Sequence, residues 1–132
     1  MNEEKKALIQ HRLAQAKDSI KEAEVLLREG MSLRSVINRL YYAIFYAVLA
    51  LLQEKDVGTS KHSGVITLFD KEFIKTEIFD KDFSKVLHRA FELRQKGDYM
   101  EQAEIMKQDV DEIQPKAQKF ISKVESYLFK TS

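Results

Sequence analysis

The sequence predicts an all-α protein, an up-and-down four-helix bundle with one or more additional short helices. Three observations predict it. Residues 38–52 read NRLYYAIFYAVLALL, the one long run that is apolar nearly all round. At helical spacing Ile37, Tyr41, Ile44, Val48 and Leu52 share one side, and Leu40, Ala43, Ala47 and Ala50 a second. Asn38, Tyr42, Phe45, Tyr46 and Leu49 share a third, and a helix apolar on every side has to be covered on every side. Earlier in the chain Ile9, Leu13, Ala16, Ile20, Ala23 and Leu27 recur at steps of 4, 3, 4, 3 and 4, a single seam on an otherwise charged helix. One Pro and four Gly in 132 residues supply too few turn formers for a many-stranded sheet.

The elements follow in order. The first helix spans Glu3 to Arg28, with Gly30 placed to end it. Ser32 is the N-cap of the second, which runs to about Lys55, and the short link makes the pair antiparallel. Asp56 to Ser60 is a turn, and Thr59 or Ser60 caps a third helix that puts Val65, Ile66, Phe69 and Phe73 on one side. Ile74 to Phe79 is a weakly patterned connector. Asp80 caps a fourth helix with the stripe Phe83, Val86, Leu87, Ala90, which Arg94 continues and Gly97 ends. Asp98 and Glu101 fit a capping box that opens a short segment to about Met106. Pro115 is tolerable only in a first turn, so the last helix is expected over about Glu112 to Phe129, burying Ala117, Phe120, Ile121, Val124 and Leu128. No internal repeat or composition break appears, so residues 1–132 read as one domain.

Composition narrows the chemistry. Basic and acidic residues number 22 and 21, a net charge of +1, which gives no global pull toward nucleic acid or membrane. The absence of Cys excludes disulfides and thiolate metal sites. Residues 38–52 fall short of the roughly twenty apolar residues of a membrane span, and MNEEKKALIQ lacks a signal core. The expectation is a cytoplasmic protein without a membrane segment. No glycine-rich phosphate loop is present. A di-metal bundle needs Glu-x-x-His, but Leu8, Thr59 and Lys85 stand three positions before His11, His62 and His88. No metal or other cofactor is expected.

Two clusters carry the functional case. Lys61-His62-Ser63-Gly64 opens the third helix, where free N–H groups and two cationic side chains suit a phosphate; a solvent-exposed, capped helix start explains the same residues. Arg94 to Tyr99 places an arginine on an apolar stripe, so its guanidinium needs a partner, and Asp98 is the nearest. A structural Arg–Asp clasp is the competing explanation there. Arg39 opens the apolar helix near a bundle end, as a phosphate ligand or a surface cation; Tyr42 and Tyr46 read as core packing or a stacking platform.

These residues resemble the HEPN domain of small stand-alone prokaryotic proteins: Tyr41-Tyr42-Ala43-Ile44-Phe45 continuing to Ala50-Leu51-Leu52, then KHSG at 61–64, then Arg94 with Asp98-Tyr99, then the closing amphipathic helix. The resemblance covers nearly the whole chain. It implies a four- to five-helix bundle, a homodimer, and pairing with a small nucleotidyltransferase in a toxin–antitoxin module. Active members are metal-independent RNases with an Arg-x4-6-His motif, in which Arg steadies phosphate and His does acid–base work. Here no Arg precedes a His at that spacing, and Tyr99 follows Arg94 where the His would stand. A phenol with a reference pKa near 10 is a poor base at neutral pH. The resemblance therefore implies nucleotide or RNA binding, with Arg94, Asp98, Tyr99, Lys61, His62 and Arg39 as phosphate-site residues and RNA cleavage in doubt. In some related modules the transferase adds AMP to a Tyr near this motif, a role that falls by resemblance to Tyr99. The alternative class is a non-catalytic helical interaction module.

Overall fold

A computed structural model describes residues 1–59, 61–99 and 105–129. The described elements are all helical: α1 (Glu3–Arg28), α2 (Leu33–Glu54), α3 (His62–Phe69) running into a π-helical turn (Asp70–Ile74), α4 (Lys81–Tyr99) and α5 (Lys107–Leu128). Local chemistry sets the first boundary. Asn2 accepts from the Lys5 N–H at 2.8 Å to start α1. At its end Gly30 takes φ +70°, the left-handed region that costs a residue with a Cβ. Gly30 N–H bonds to Leu27 C=O at 3.2 Å and Met31 N–H to Leu26 C=O at 2.9 Å, the paired bonds of a Schellman stop. Ser32 then accepts from the Ser35 N–H and opens α2.

Cross-links fix the directions. Lys5 at the start of α1 pairs with Asp56 beyond the end of α2 at 2.9 Å, so these helices are antiparallel. Arg34 at the start of α2 donates to the Gly97 carbonyl near the end of α4 at 3.4 Å. Tyr127 near the end of α5 donates to Glu54 at the end of α2 at 3.1 Å. The chain therefore runs up through α1, down α2, up α4 and down α5, with α2 packed against the other three long helices. Leu40, Tyr41, Ala43, Ile44, Ala47, Val48, Ala50 and Leu51 are all sealed from solvent. By length and composition α2 could cross a membrane, but 67% of its most apolar stretch is covered by the rest of the bundle, as befits a core helix.

Four expectations are corrected. Gly97 does not end the fourth helix, which continues to Tyr99. A Cβ there would lie 2.9 Å from Arg34 Cγ, so the glycine serves close approach to α2 instead of termination. Asp98 consequently sits inside α4 and caps nothing; Glu101 of its expected capping box and residues 100–104 of the short segment lie outside the described residues, and Met106, the expected end of that segment, is the N-cap of α5. Neither is Thr59 the cap of α3: Lys61 holds that position without a side-chain bond, and Thr59 only accepts weakly from the Lys61 N–H at 3.4 Å. Ser60 lies outside the described residues. The last helix begins at Lys107, where the Asp109 carboxylate accepts from the Met106 N–H at 2.9 Å. Pro115 is thus inside α5, tolerated because Val110 and Ile113 before it and Ala117 and Phe120 after it are held in the core.

The third element reaches Phe73 as its pattern predicts, but its last turn is π-helical rather than α-helical. Phe69 and Phe73 are both sealed in the core, and the π-helical turn between them is tied down by Asp70. Ser84 donates to one Asp70 oxygen at 2.7 Å and His88 Nε2 meets the other at 2.8 Å, which gives His88 a structural partner. Asp80 does cap α4, accepting from the Asp82 N–H at 2.9 Å.

Candidate functional site

The apolar stripe of α4 delivers one cation into the bundle. Leu87, Ala90 and Leu93 are buried, and Arg94 follows on the same face with its side chain 17% exposed. Its guanidinium carbon stands 5.3 Å from the centre of the Tyr41 ring and 5.4 Å from that of Tyr42. Consecutive α2 residues can both face it because their rings meet edge to face, 5.2 Å apart. Desolvated cation–π contacts of this kind hold a guanidinium without consuming its N–H donors.

Asp98 is a poor clasp for it. The Nε to Asp98 Oδ2 separation is 3.3 Å, yet the oxygen lies off the N–H axis, so charge attraction is present and a directed hydrogen bond is not. Arg94 Nε is sealed from solvent and has no hydrogen-bond acceptor among the described residues. A buried donor left in that state costs about 1–3 kcal/mol, so Arg94 is not held here by a fully made structural clasp.

His62 reaches the same aromatic group from α3. It stacks on Phe45 at 4.3 Å, lies edge-on to Tyr42, and its Nδ1 is 2.9 Å from the Tyr41 hydroxyl. Burial, and then the nearby Arg94 charge, push its pKa below the ordinary histidine value, which favours a neutral ring at pH 7. Burial pushes the Tyr41 hydroxyl well above the usual phenol range, so it stays protonated.

The remaining residues of interest stand around this centre. Arg39 places its guanidinium carbon 5.2 Å from the centre of the Tyr42 ring, donates to the Asn38 side chain, and faces Glu22 at 3.6 Å. A cleft of about 340 Å³ separates Arg34, Asn38 and Arg39 of α2 from Asp98 of α4. Lys61 is exposed at the start of α3, and no described contact joins it to Arg94. Tyr99 closes α4; its side chain lies outside what is described. Arg94, Asp98 and His62 therefore meet around Tyr41 and Tyr42, Arg39 borders them, and Lys61 stands apart. Tyr41 is the residue that sequence reasoning missed as a polar group. Its signal was available: a tyrosine on the most buried side of α2 needs a partner for its hydroxyl. Among the described residues no cluster of three or more His, Asp or Glu is set to hold a metal ion.

Comparison with known proteins places this arrangement. The profile of the HEPN domain matches residues 9–127, which takes in every element from α1 to α5. The chain belongs to the HEPN-domain family. A UPF0332 protein of Thermotoga maritima is 39% identical over 97% of this chain and 96% of its own length. A Methanocaldococcus jannaschii protein whose name proposes it as a toxin is 39% identical over 70% of this chain and 63% of its own length. A second protein of that organism, named in the same terms, is 30% identical over 75% of this chain and 73% of its own length. The small stand-alone HEPN type read from Tyr41–Phe45, KHSG and Arg94 with Asp98-Tyr99 is thereby established, and the named relatives are consistent with a toxin–antitoxin setting.

Proposed function

We propose that this HEPN protein binds the phosphate of a nucleotide or RNA at Arg94 and works as a homodimer with a small nucleotidyltransferase in a toxin–antitoxin module. One observation carries the binding half: a guanidinium lodged against two tyrosine faces with a sealed Nε that no described residue satisfies. A guanidinium built for structure takes a bidentate carboxylate; this one has a single, misdirected one. Arg34 and Arg39 at the adjacent cleft supply further positive charge along the path of a backbone. The module half rests on the family and on relatives named as toxins. The homodimer rests on α2, whose Tyr42, Tyr46 and Leu49 are only partly buried along one side.

The test is binding of a short fluorescent RNA by the wild-type protein and Arg94→Met. The expected result is at least a tenfold loss, with a salt dependence shallower by about one phosphate contact. Unchanged affinity and unchanged salt slope would return Arg94 to a structural role. Isolation from native cells with a nucleotidyltransferase attached is the expected outcome for the partner.

A further inference from the structure

The Tyr41–His62 contact fixes more than the position of a ring. Tyr41 is fully buried, and His62 Nδ1 at 2.9 Å is the one described hydrogen-bond partner of its hydroxyl. A buried phenol whose proton finds no acceptor is left with a stranded donor, so the hydroxyl donates and Nδ1 accepts. A neutral imidazole that accepts at Nδ1 carries its hydrogen at Nε2. That nitrogen has no partner among the described residues, and the His62 side chain is partly exposed rather than sealed in the core. Nε2–H is thus left without a described acceptor on a partly exposed ring. The same two rings that carry the Arg94 guanidinium at 5.3 and 5.4 Å lie 6.0 Å from the His62 ring, so both donors border one aromatic wall.

We propose that Tyr41 is a positioning residue that holds His62 as the Nε2–H tautomer, making the imidazole a second hydrogen-bond donor to the phosphate at Arg94 instead of a base. The inference rests on the Arg94 phosphate reading and adds the group that shapes the anion's other side. It also gives a reason, independent of motif spacing, for expecting binding without proton abstraction: the outward nitrogen of the imidazole has no lone pair to offer. Two fixed donors across an aromatic wall suit a tetrahedral oxyanion of the phosphate class, with an adjoining base free to stack on Tyr42.

The experiment is a long-range proton–nitrogen NMR correlation of the histidine rings in the intact ¹⁵N-labelled protein, first alone and then titrated with inorganic phosphate. The expected result is a His62 ring with an unprotonated, hydrogen-bonded Nδ1 and a protonated Nε2. A protonated Nδ1, or fast averaging between tautomers, overturns the inference. On titration both the Arg94 Nε and the His62 Nε2 signals should move. Movement of Arg94 alone overturns this inference and leaves the Arg94 reading standing; movement of neither overturns both. Tyr41→Phe removes only the hydroxyl and should give a mixture of tautomers with phosphate binding weakened about three- to tenfold, the worth of one oriented hydrogen bond. As a control for folding, His62→Gln keeps an outward N–H donor and should bind phosphate better than His62→Leu. Equal binding by those two variants counts against a donor role.

Discussion

Replacing Arg94 with Met is the perturbation that best separates a ligand-binding arginine from a structural one. Methionine keeps most of the stem volume and removes the charge. Three quantities decide the outcome. The cation–π contacts with Tyr41 and Tyr42 are lost, about 1–2 kcal/mol together where partly desolvated. Asp98 loses its partner, but its side chain is 27% exposed and can be hydrated, so this adds less than about 1 kcal/mol. Against these, the sealed Nε without an acceptor disappears, which returns about 1–3 kcal/mol. The terms nearly cancel, and Arg94→Met should lie within about 1 kcal/mol of the wild type. Urea unfolding followed by circular dichroism measures it, with the slope checked for constancy so that the midpoint shift reports stability. A loss of 3–5 kcal/mol, the cost of breaking a well-made buried pair, would refute the reasoning and make the Asp98 contact the purpose of the residue.

Further outcomes follow from single residues. Gly30→Ala meets no atom within 4 Å, so its cost is the left-handed backbone alone, about 1 kcal/mol of unfolding free energy in urea; a neutral result would show that the α1 stop relaxes. Pro115→Ala restores a helical N–H inside α5 and should stabilise by about 1–2 kcal/mol after the greater entropy of the unfolded chain is deducted, whereas destabilisation would mean the bundle needs the distortion. His62 has a folded pKa below its unfolded value, so the unfolded chain binds the extra proton first as pH falls. The stability contributed by the neutral ring is complete above about pH 6.5 and is lost as pH falls through the folded value. His62→Gln should therefore show a flatter stability profile below pH 6.5 than the wild type, and parallel profiles would contradict the assigned environment. Light scattering at micromolar concentration should give a dimer; a monomer would leave the partly buried side of α2 unexplained.

What could be read from sequence was local. Gly30, Ser32 and Asp80 announced their boundaries because each acts on backbone groups within a few residues. The periodic stripes located the buried faces, and Arg94 stood out because a charge at an apolar position breaks the period. Gly97 and Pro115 misled for one physical reason. A glycine in a helix can signal freedom or closeness, and only Arg34, distant in sequence, shows that it is closeness. A proline ends a helix only when nothing else compensates, and burial on both sides of Pro115 does. The Tyr41–His62 bond joins α2 to α3 across an intervening turn, so no spacing rule reports it.

The burial of α2 has a consequence for how the chain is made. Cut loose from its neighbours, the stretch from Leu40 to Leu52 offers water an almost unbroken oily cylinder, the kind of segment that a translocation machine or a chaperone would seize. Synthesis order guards against this. α1 leaves the ribosome first, with Ile9, Leu13, Ala16 and Ala23 already in line, and the tight stop at Gly30 turns the nascent chain back on itself. As α2 emerges, its covering strip is waiting within a hairpin's reach, and the faces owed to α3, α4 and α5 stay bare until the rest of the chain arrives. A substitution that loosens the Gly30 turn would thus show itself in soluble yield during expression before it showed in the midpoint of a purified sample.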